Sequence, residues 1–217
     1  MVFCFFNTMD QHLLLTGVTE NYQHSIISYI NSYGNIVREK LIDKVTIVKL
    51  SPEGNRIALP SGEIGDPSQI EIENLDGTTI SHFTTAYSGV ADSFSQTGQY
   101  LILTYQWNRI SVYQADPGDF VKSIIPPGNG VHPTCSTAFD ENTKELYVIL
   151  QDSPTSGQRF LEIYKIGEHG FDPIWSYPLG SFDIQNSPLD NRTMLSFSGD
   201  MNQMTAINGS RQFVLQR

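Results

Sequence analysis

Short runs of alternating apolar and polar residues, broken by polar turns, fill most of the chain. Ile70-Glu-Ile72-Glu-Asn-Leu-Asp76-Gly77 alternates and then turns, and Ile27-Ser-Tyr29-Ile-Asn-Ser-Tyr33-Gly34 does the same. Ile110-Ser-Val112-Tyr-Gln-Ala-Asp116-Pro-Gly118 and Leu161-Glu-Ile163-Tyr-Lys-Ile-Gly167 follow the same course. A period of two sends successive side chains to opposite faces, so these runs predict strands. Asp76-Gly77 and the glycines Gly34, Gly118 and Gly170 punctuate hairpins. No segment carries convincing helical periodicity. The stretch 38–49 is the one candidate, and it reads equally well as strand, turn and strand.

A second pattern repeats at longer range. Leu50-Ser-Pro-Glu-Gly54-Asn-Arg-Ile57-Ala-Leu59 is an apolar strand end, a polar turn and a new apolar strand. Phe94-Ser-Gln-Thr-Gly98-Gln-Tyr-Leu101-Ile-Leu103 matches it position for position. So do Phe6-Asn-Thr-Met-Asp10-Gln-His-Leu13-Leu-Leu15 and Phe139-Asp-Glu-Asn-Thr-Lys-Glu-Leu146-Tyr-Val148. The anchors fall at 6, 50, 94 and 139, about one repeat of 44 residues apart. A weaker fifth copy is Leu189-Asp-Asn-Arg-Thr-Met-Leu195-Ser-Phe197. A fourth short strand closes each unit, at Ile36–Leu41, Thr78–Phe83, Phe120–Ile125, Ile174–Tyr177 and Gln212–Leu215.

A four-stranded cassette recurring every 40–45 residues or so is the blade of a β-propeller. The expectation is an all-β, single-domain propeller over 1–217. It has five four-stranded antiparallel blades around a central channel, at about 1–43, 44–88, 89–131, 132–178 and 179–217. A β-sandwich also has many short strands, but it does not predict one anchor recurring at fixed spacing. In this phase the chain starts in a first strand and ends in a fourth, so blades 1 and 5 would meet through side-chain packing alone. The alternative is a segment of a six- or seven-bladed parent.

The motif at 50–59, followed by Gln69-Ile-Glu-Ile-Glu-Asn-Leu-Asp-Gly77, resembles the WD40-like repeat of TolB-type propellers. The resemblance is good over the second unit, fair over the third and fourth and weak at both ends, and the Trp-Asp dipeptide of true WD40 blades is missing. It implies a propeller used for protein contact. It carries over no catalytic residue, because the Ser-Pro-x-Gly turn only shapes a hairpin.

Composition narrows the function. The 217 residues hold 13 Lys and Arg against 23 Asp and Glu, a net charge of -10. A nucleic-acid binder needs a basic stripe, and none is visible. The charge favours a protein partner with a neutral or basic surface. The longest apolar runs are far short of the roughly 18–20 residues of a membrane span, and the start lacks the basic residues of a signal peptide. A cytoplasmic location is expected. Cys4 and Cys135 read as small thiols, not as a disulfide framework. His132 and Cys135 are half a metal site at most, since zinc wants four ligands or three plus water, so neither metal nor cofactor is expected.

Loops joining second to third strands gather on one rim of a propeller, where binding sites form. They carry Asn21-Tyr22-Gln23-His24, Glu63-Ile-Gly-Asp66, Tyr105-Gln-Trp107-Asn108-Arg109 and Gln151-Asp152 through Arg159. Tyr, Trp and Arg dominate protein interfaces, so Trp107 beside Asn108 and Arg109 is the first candidate contact, with Asp66, Asp152, Arg159 and His24 around it. On the channel side, two residues before each anchor stand Cys4, Val48, Asp92 and Thr137, with His132 opening the fourth unit. Asp92 is a ligand or partner contact, or else a carboxylate held by backbone N–H groups or a hydroxyl. No nucleophile elbow, phosphate loop or HExxH is present, so a non-catalytic adaptor or subunit of a larger assembly is the expectation. The alternative is a small carbohydrate-binding propeller, lectin or glycoside hydrolase-like. A hydrolase would need a carboxylate pair such as Asp92 with Asp66, Asp152 or Asp183.

Overall fold

The computed structural model describes residues 2–6, 13–18, 24–43, 48–61, 68–86, 89–105, 109–126, 134–151, 158–181, 193–198, 202–208 and 211–216. Every regular element among them is a strand, and every pairing is antiparallel. The stretch 38–49, the one place where a helix competed, is strand through Ile42.

The chain divides into two compact units, Met1–Ala91 and Asp92–Arg217. The first holds two four-stranded meanders. One comprises β1 (Val2–Phe6), β2 (Leu13–Val18), β3 (Ser25–Ile30) and β4 (Ile36–Ile42); the other β5 (Lys49–Leu50), β6 (Arg56–Ser61), β7 (Gln69–Asn74) and β8 (Thr79–Thr84). Ile27 and Tyr29 of β3 pack with Val48, Ile57 and Leu59 of the second sheet, and Ile42, Leu50 and Leu75 border them.

The core of the first unit has a polar strut beside it. Glu73 is 2% exposed and binds both Arg38 and Lys40 of β4. Arg38 also donates to the Leu75 carbonyl at 2.7 Å and lies 5.1 Å from the centre of the Tyr29 ring. The Asp76-Gly77 turn must leave room for it. Gly77 has φ +91°, and a Cβ there would stand 2.5 Å from the Arg38 guanidinium. Burial alone would raise the Glu71 carboxyl, but the Thr79 hydroxyl and Lys40 outweigh it and hold that carboxyl below its ordinary range.

The Tyr29 hydroxyl is buried and has no hydrogen-bond partner among the described residues. Burial pushes its pKa from 10.0 up to about 12, with Arg38 opposing and Glu73 adding to the rise. A raised acid pKa means that the unfolded chain loses this proton first. Stability from Tyr29 is therefore full below pH 10.0 and is lost as the pH climbs through about 12. Tyr29→Phe is expected to flatten that alkaline loss without lowering stability at pH 7, as denaturant titrations at a series of pH values would show. A variant with an unchanged alkaline limb would refute this role.

The second unit holds three meanders. The first comprises β9 (Gly89–Phe94), within which the unit begins at Asp92, β10 (Tyr100–Tyr105), β11 (Ile110–Gln114) and β12 (Phe120–Ile124); the second β13 (Thr134–Asp140), β14 (Glu145–Gln151), β15 (Gln158–Gly167) and β16 (Gly170–Ser181). The third has three strands among the described residues, β17 (Thr193–Phe197), β18 (Gln203–Asn208) and β19 (Arg211–Gln216). β14 shows why its sequence is one apolar run. Leu146, Val148 and Leu150 face a core shared with Ile102, Ile110 and Val112 of the preceding sheet. Tyr147 and Ile149 face a second core shared with Leu195, Met204 and Ala206 of the following one. A sheet covered on both faces has no polar side to alternate with.

The last strand of the fourth sheet, β16, continues to Ser181. Leu189, the expected fifth anchor, lies outside the described residues. The turn that repeats the anchor pattern follows Phe197. Ser198 closes the turn after it, its Oγ accepting from the Gln203 N–H at 3.0 Å. Ser51 and Ser95 do the same for Arg56 and Tyr100. The Leu195 N–H also donates to Ser136 Oγ on β13, the neighbouring first strand. β17 is thus a first strand and β19 a third, so Gln212–Leu215 is not the closing strand. The glycine of this turn stands at 199, two residues past the anchor rather than four as at Gly54 and Gly98, which hides the repeat.

Candidate functional site

In the second unit, the bonds between consecutive sheets join residues one repeat apart. Thr137 donates its N–H to Asp92 Oδ2 at 2.7 Å and its hydroxyl to the same oxygen. Ser93 Oγ lies 3.0 Å from Thr137 Oγ1, and Ser95 and Thr97 both donate to Glu141. Lys144 donates to the Tyr100 hydroxyl and stands 4.5 Å from its ring centre. Asp92 is therefore the carboxylate held by a backbone N–H and a hydroxyl. Its chemistry is that of a clamp between first strands.

Of the candidate contact residues, Asp66, Trp107, Asn108 and Asp152 lie outside the described residues, as do His132 and Asp183. Those described, His24, Arg109 and Arg159, flank connections from second to third strands. Arg109 stands directly before β11. Its carbonyl accepts from the Tyr105 N–H at 2.9 Å, and its guanidinium reaches Ser123 Oγ on β12 at 3.3 Å. It is half-buried. Arg159 opens the inner part of β15 opposite Gln151 and is only 4% exposed, enclosed by the chain itself. His24 stands before β3, half-buried, with Nδ1 3.9 Å from Asp43 Oδ1.

No cluster of three or more His, Cys, Asp or Glu side chains among the described residues is arranged to hold a metal ion. No helix of the described residues is long and apolar enough to cross a membrane.

Sequence reasoning passed over one feature. Trp175 and Tyr177 of β16 stack on each other, ring centres 5.4 Å apart, and Tyr177 meets Phe213 of β19 edge-on at 6.4 Å. Trp175 and Tyr177 are 40% and 42% exposed. Their i, i+2 spacing in the sequence signalled one shared face, but not that the face stays open.

No protein-family model matches the chain, and no curated protein matches it in sequence. Among solved structures, 757 chains match, so the architecture is a recurrent one and does not by itself assign a function. One of them, described as "Structure of Dos1 propeller", aligns with a TM-score of 0.62 at 10% identity over 99% of this chain. The chain spans 54% of that one's length. At that identity the likeness is one of fold: antiparallel four-stranded sheets without helix among the described residues, of the β-propeller kind.

Proposed function

We propose that the chain is a five-bladed β-propeller of WD40-like, TolB-type repeat that acts as a non-catalytic scaffold for protein–protein interaction. It serves as an adaptor or as a subunit of a larger assembly. The observation that carries this reading is the lacing of consecutive sheets at one-repeat separation, Asp92 to Thr137 and Ser95 to Glu141. Such lacing spends the polar residues of the first strands on rigidity. Contact is left to the connections between second and third strands, where Trp107, Asn108, Arg109, Asp66, Asp152 and His24 stand in sequence. A rigid sheet stack holding variable loops is how propellers present a binding face. The net charge of -10 suits a neutral or basic protein partner. The setting in this reading is cytoplasmic.

Purification of the tagged chain from its own cells should bring down a stoichiometric protein companion. Trp107→Ala combined with Arg109→Ala should weaken that capture about tenfold or more, the size of an interface hot spot. The melting temperature should stay within a few degrees of the parent. Binding of both forms alike would remove this face as the contact. A glycan ligand found on an array, with no protein companion, would replace the scaffold reading by a carbohydrate-binding one.

A further inference from the structure

The outermost strand of a sheet has one unpaired side, and such an edge is a template for another strand unless something blocks it. The four-stranded sheets end on β4, β8, β12 and β16. Three of these strands carry the usual blocks. β4 sets Arg38, Glu39 and Lys40 at its centre, β12 carries Lys122, and β16 carries Asp172, Pro173 and Pro178. Two β4 strands laid antiparallel about Glu39 would put Glu39 on Glu39 and Arg38 on Lys40, and like charges directly opposite are destabilising. β8, Thr79-Ile-Ser-His-Phe-Thr84, has no proline and no Asp, Glu, Lys or Arg. No strand lies beyond it among the described residues.

Two backbone bonds fix which groups face outward. The Asn74 N–H donates to the Thr78 carbonyl at one end of the β7–β8 pair, and the Thr85 N–H donates to the Ser68 carbonyl at the other, both at 2.9 Å. Bonded pairs alternate along an antiparallel ladder, so Ile70 with Phe83 is the next bonded pair after Ser68 with Thr85, and Ile72 with Ser81 follows. The N–H and C=O groups of His82 and Thr84 therefore point away from β7. The ladder slips at Ile80, and that bulge confines the regular edge to Ser81 onward. The His82 and Thr84 side chains are exposed, and Phe83 between them is half-buried.

This edge is complementary to itself. Laid antiparallel about a two-fold axis at Phe83, His82 of each copy bonds with Thr84 of the other in both directions, which makes four main-chain bonds. Phe83 then faces Phe83 at a non-bonded position, where side chains come closest, and Ser81 faces Thr85. Aromatic pairs and Ser–Thr pairs are favourable across strands, and no like charges meet. The neighbouring two-fold register, His82 on His82, would set Thr84 against the bulged Ile80 and lose that regularity. We propose that β8 pairs with β8 of a second copy of this chain, joining two four-stranded sheets into one of eight strands. The surface is separate from the loops around Trp107, and the pairing is independent of the scaffold reading.

Sedimentation velocity of the full chain tests this, in about 0.5 M salt to screen the repulsion between two chains of net charge -10. The mass should rise from monomer toward dimer between about 1 and 200 µM. Thr84→Pro removes an outward N–H from an edge strand, where proline is tolerated, and so takes two of the four bonds from the dimer. It should raise the dissociation constant about thirtyfold with unchanged circular dichroism. His82→Lys adds the kind of charge that guards β12 and should weaken the dimer about tenfold. Trp107→Ala with Arg109→Ala should dimerise like the parent. Hydrogen exchange on the unmodified chain gives an independent readout: the amides of His82 and Thr84 should exchange more slowly as concentration rises. A chain that stays monomeric over this range, or a dimer that both β8 variants leave intact, would overturn the proposal. Capture of a protein companion by a monomeric chain, lost in Thr84→Pro, would give the edge to a different polypeptide and overturn self-pairing.

Discussion

Phe139→Ala is expected to cost about 3–5 kcal/mol of stability, the range for removing a large aromatic ring from a packed core. Phe139 is 1% exposed and is the anchor of the fourth repeat. Its ring meets Tyr100 edge-on at 5.2 Å and Phe171 at 6.5 Å, so one side chain joins the third sheet to both ends of the fourth. Removing it leaves a cavity between two sheets whose backbones are fixed by their own ladders and cannot collapse inward. A drop of roughly 10 °C in melting temperature should accompany the loss. Phe120→Ala is the control. Its ring stands on the outer strand β12, 56% exposed, and its loss should move stability by about 0.5 kcal/mol. Equal effects of the two substitutions would show that the Phe139 cavity is not the core described here.

Removing Arg38 and Lys40 together is expected to cost about 3 kcal/mol or more at pH 7, because Glu73 would be left buried with no cation beside it. The first unit should report the loss, as earlier proteolysis within Met1–Ala91. Glu73→Gln placed on the double variant should restore most of the stability, since the penalty lies in the uncompensated charge. A triple variant as unstable as the double would place the cost in lost packing of the Arg38 stem on Tyr29 instead.

The repeat was legible because each sheet writes the same constraints. An anchor must be apolar to reach the core, and the next residue must accept the N–H five positions on, as Ser51, Ser95 and Ser198 do. Asp140 varies the device. It accepts from the N–H groups of Asn142 and Thr143, and Lys144, without being glycine, takes φ 59° in that turn. The fifth anchor is harder to read because a segment longer than the repeat precedes Phe197 and the turn glycine stands at 199. The candidate site was legible only as a set of loop residues. Residue type says that Arg109 and Arg159 can bind a partner. It does not say that Arg109 leans on Ser123 in part view of solvent while Arg159 is enclosed.

Local alternation and turn residues determined, without any coordinates, that this chain is made of short antiparallel strands in repeated meanders. That information is local, since each strand and turn obeys rules spanning only a few residues. Which face of β14 meets which neighbour, that Asp92 bridges two first strands, and that Trp175 and Tyr177 stack half in view of solvent were decided by tertiary structure. Those outcomes depend on residues about 45 or more positions apart meeting across sheets, and pairing at that range is not encoded in any short window of sequence.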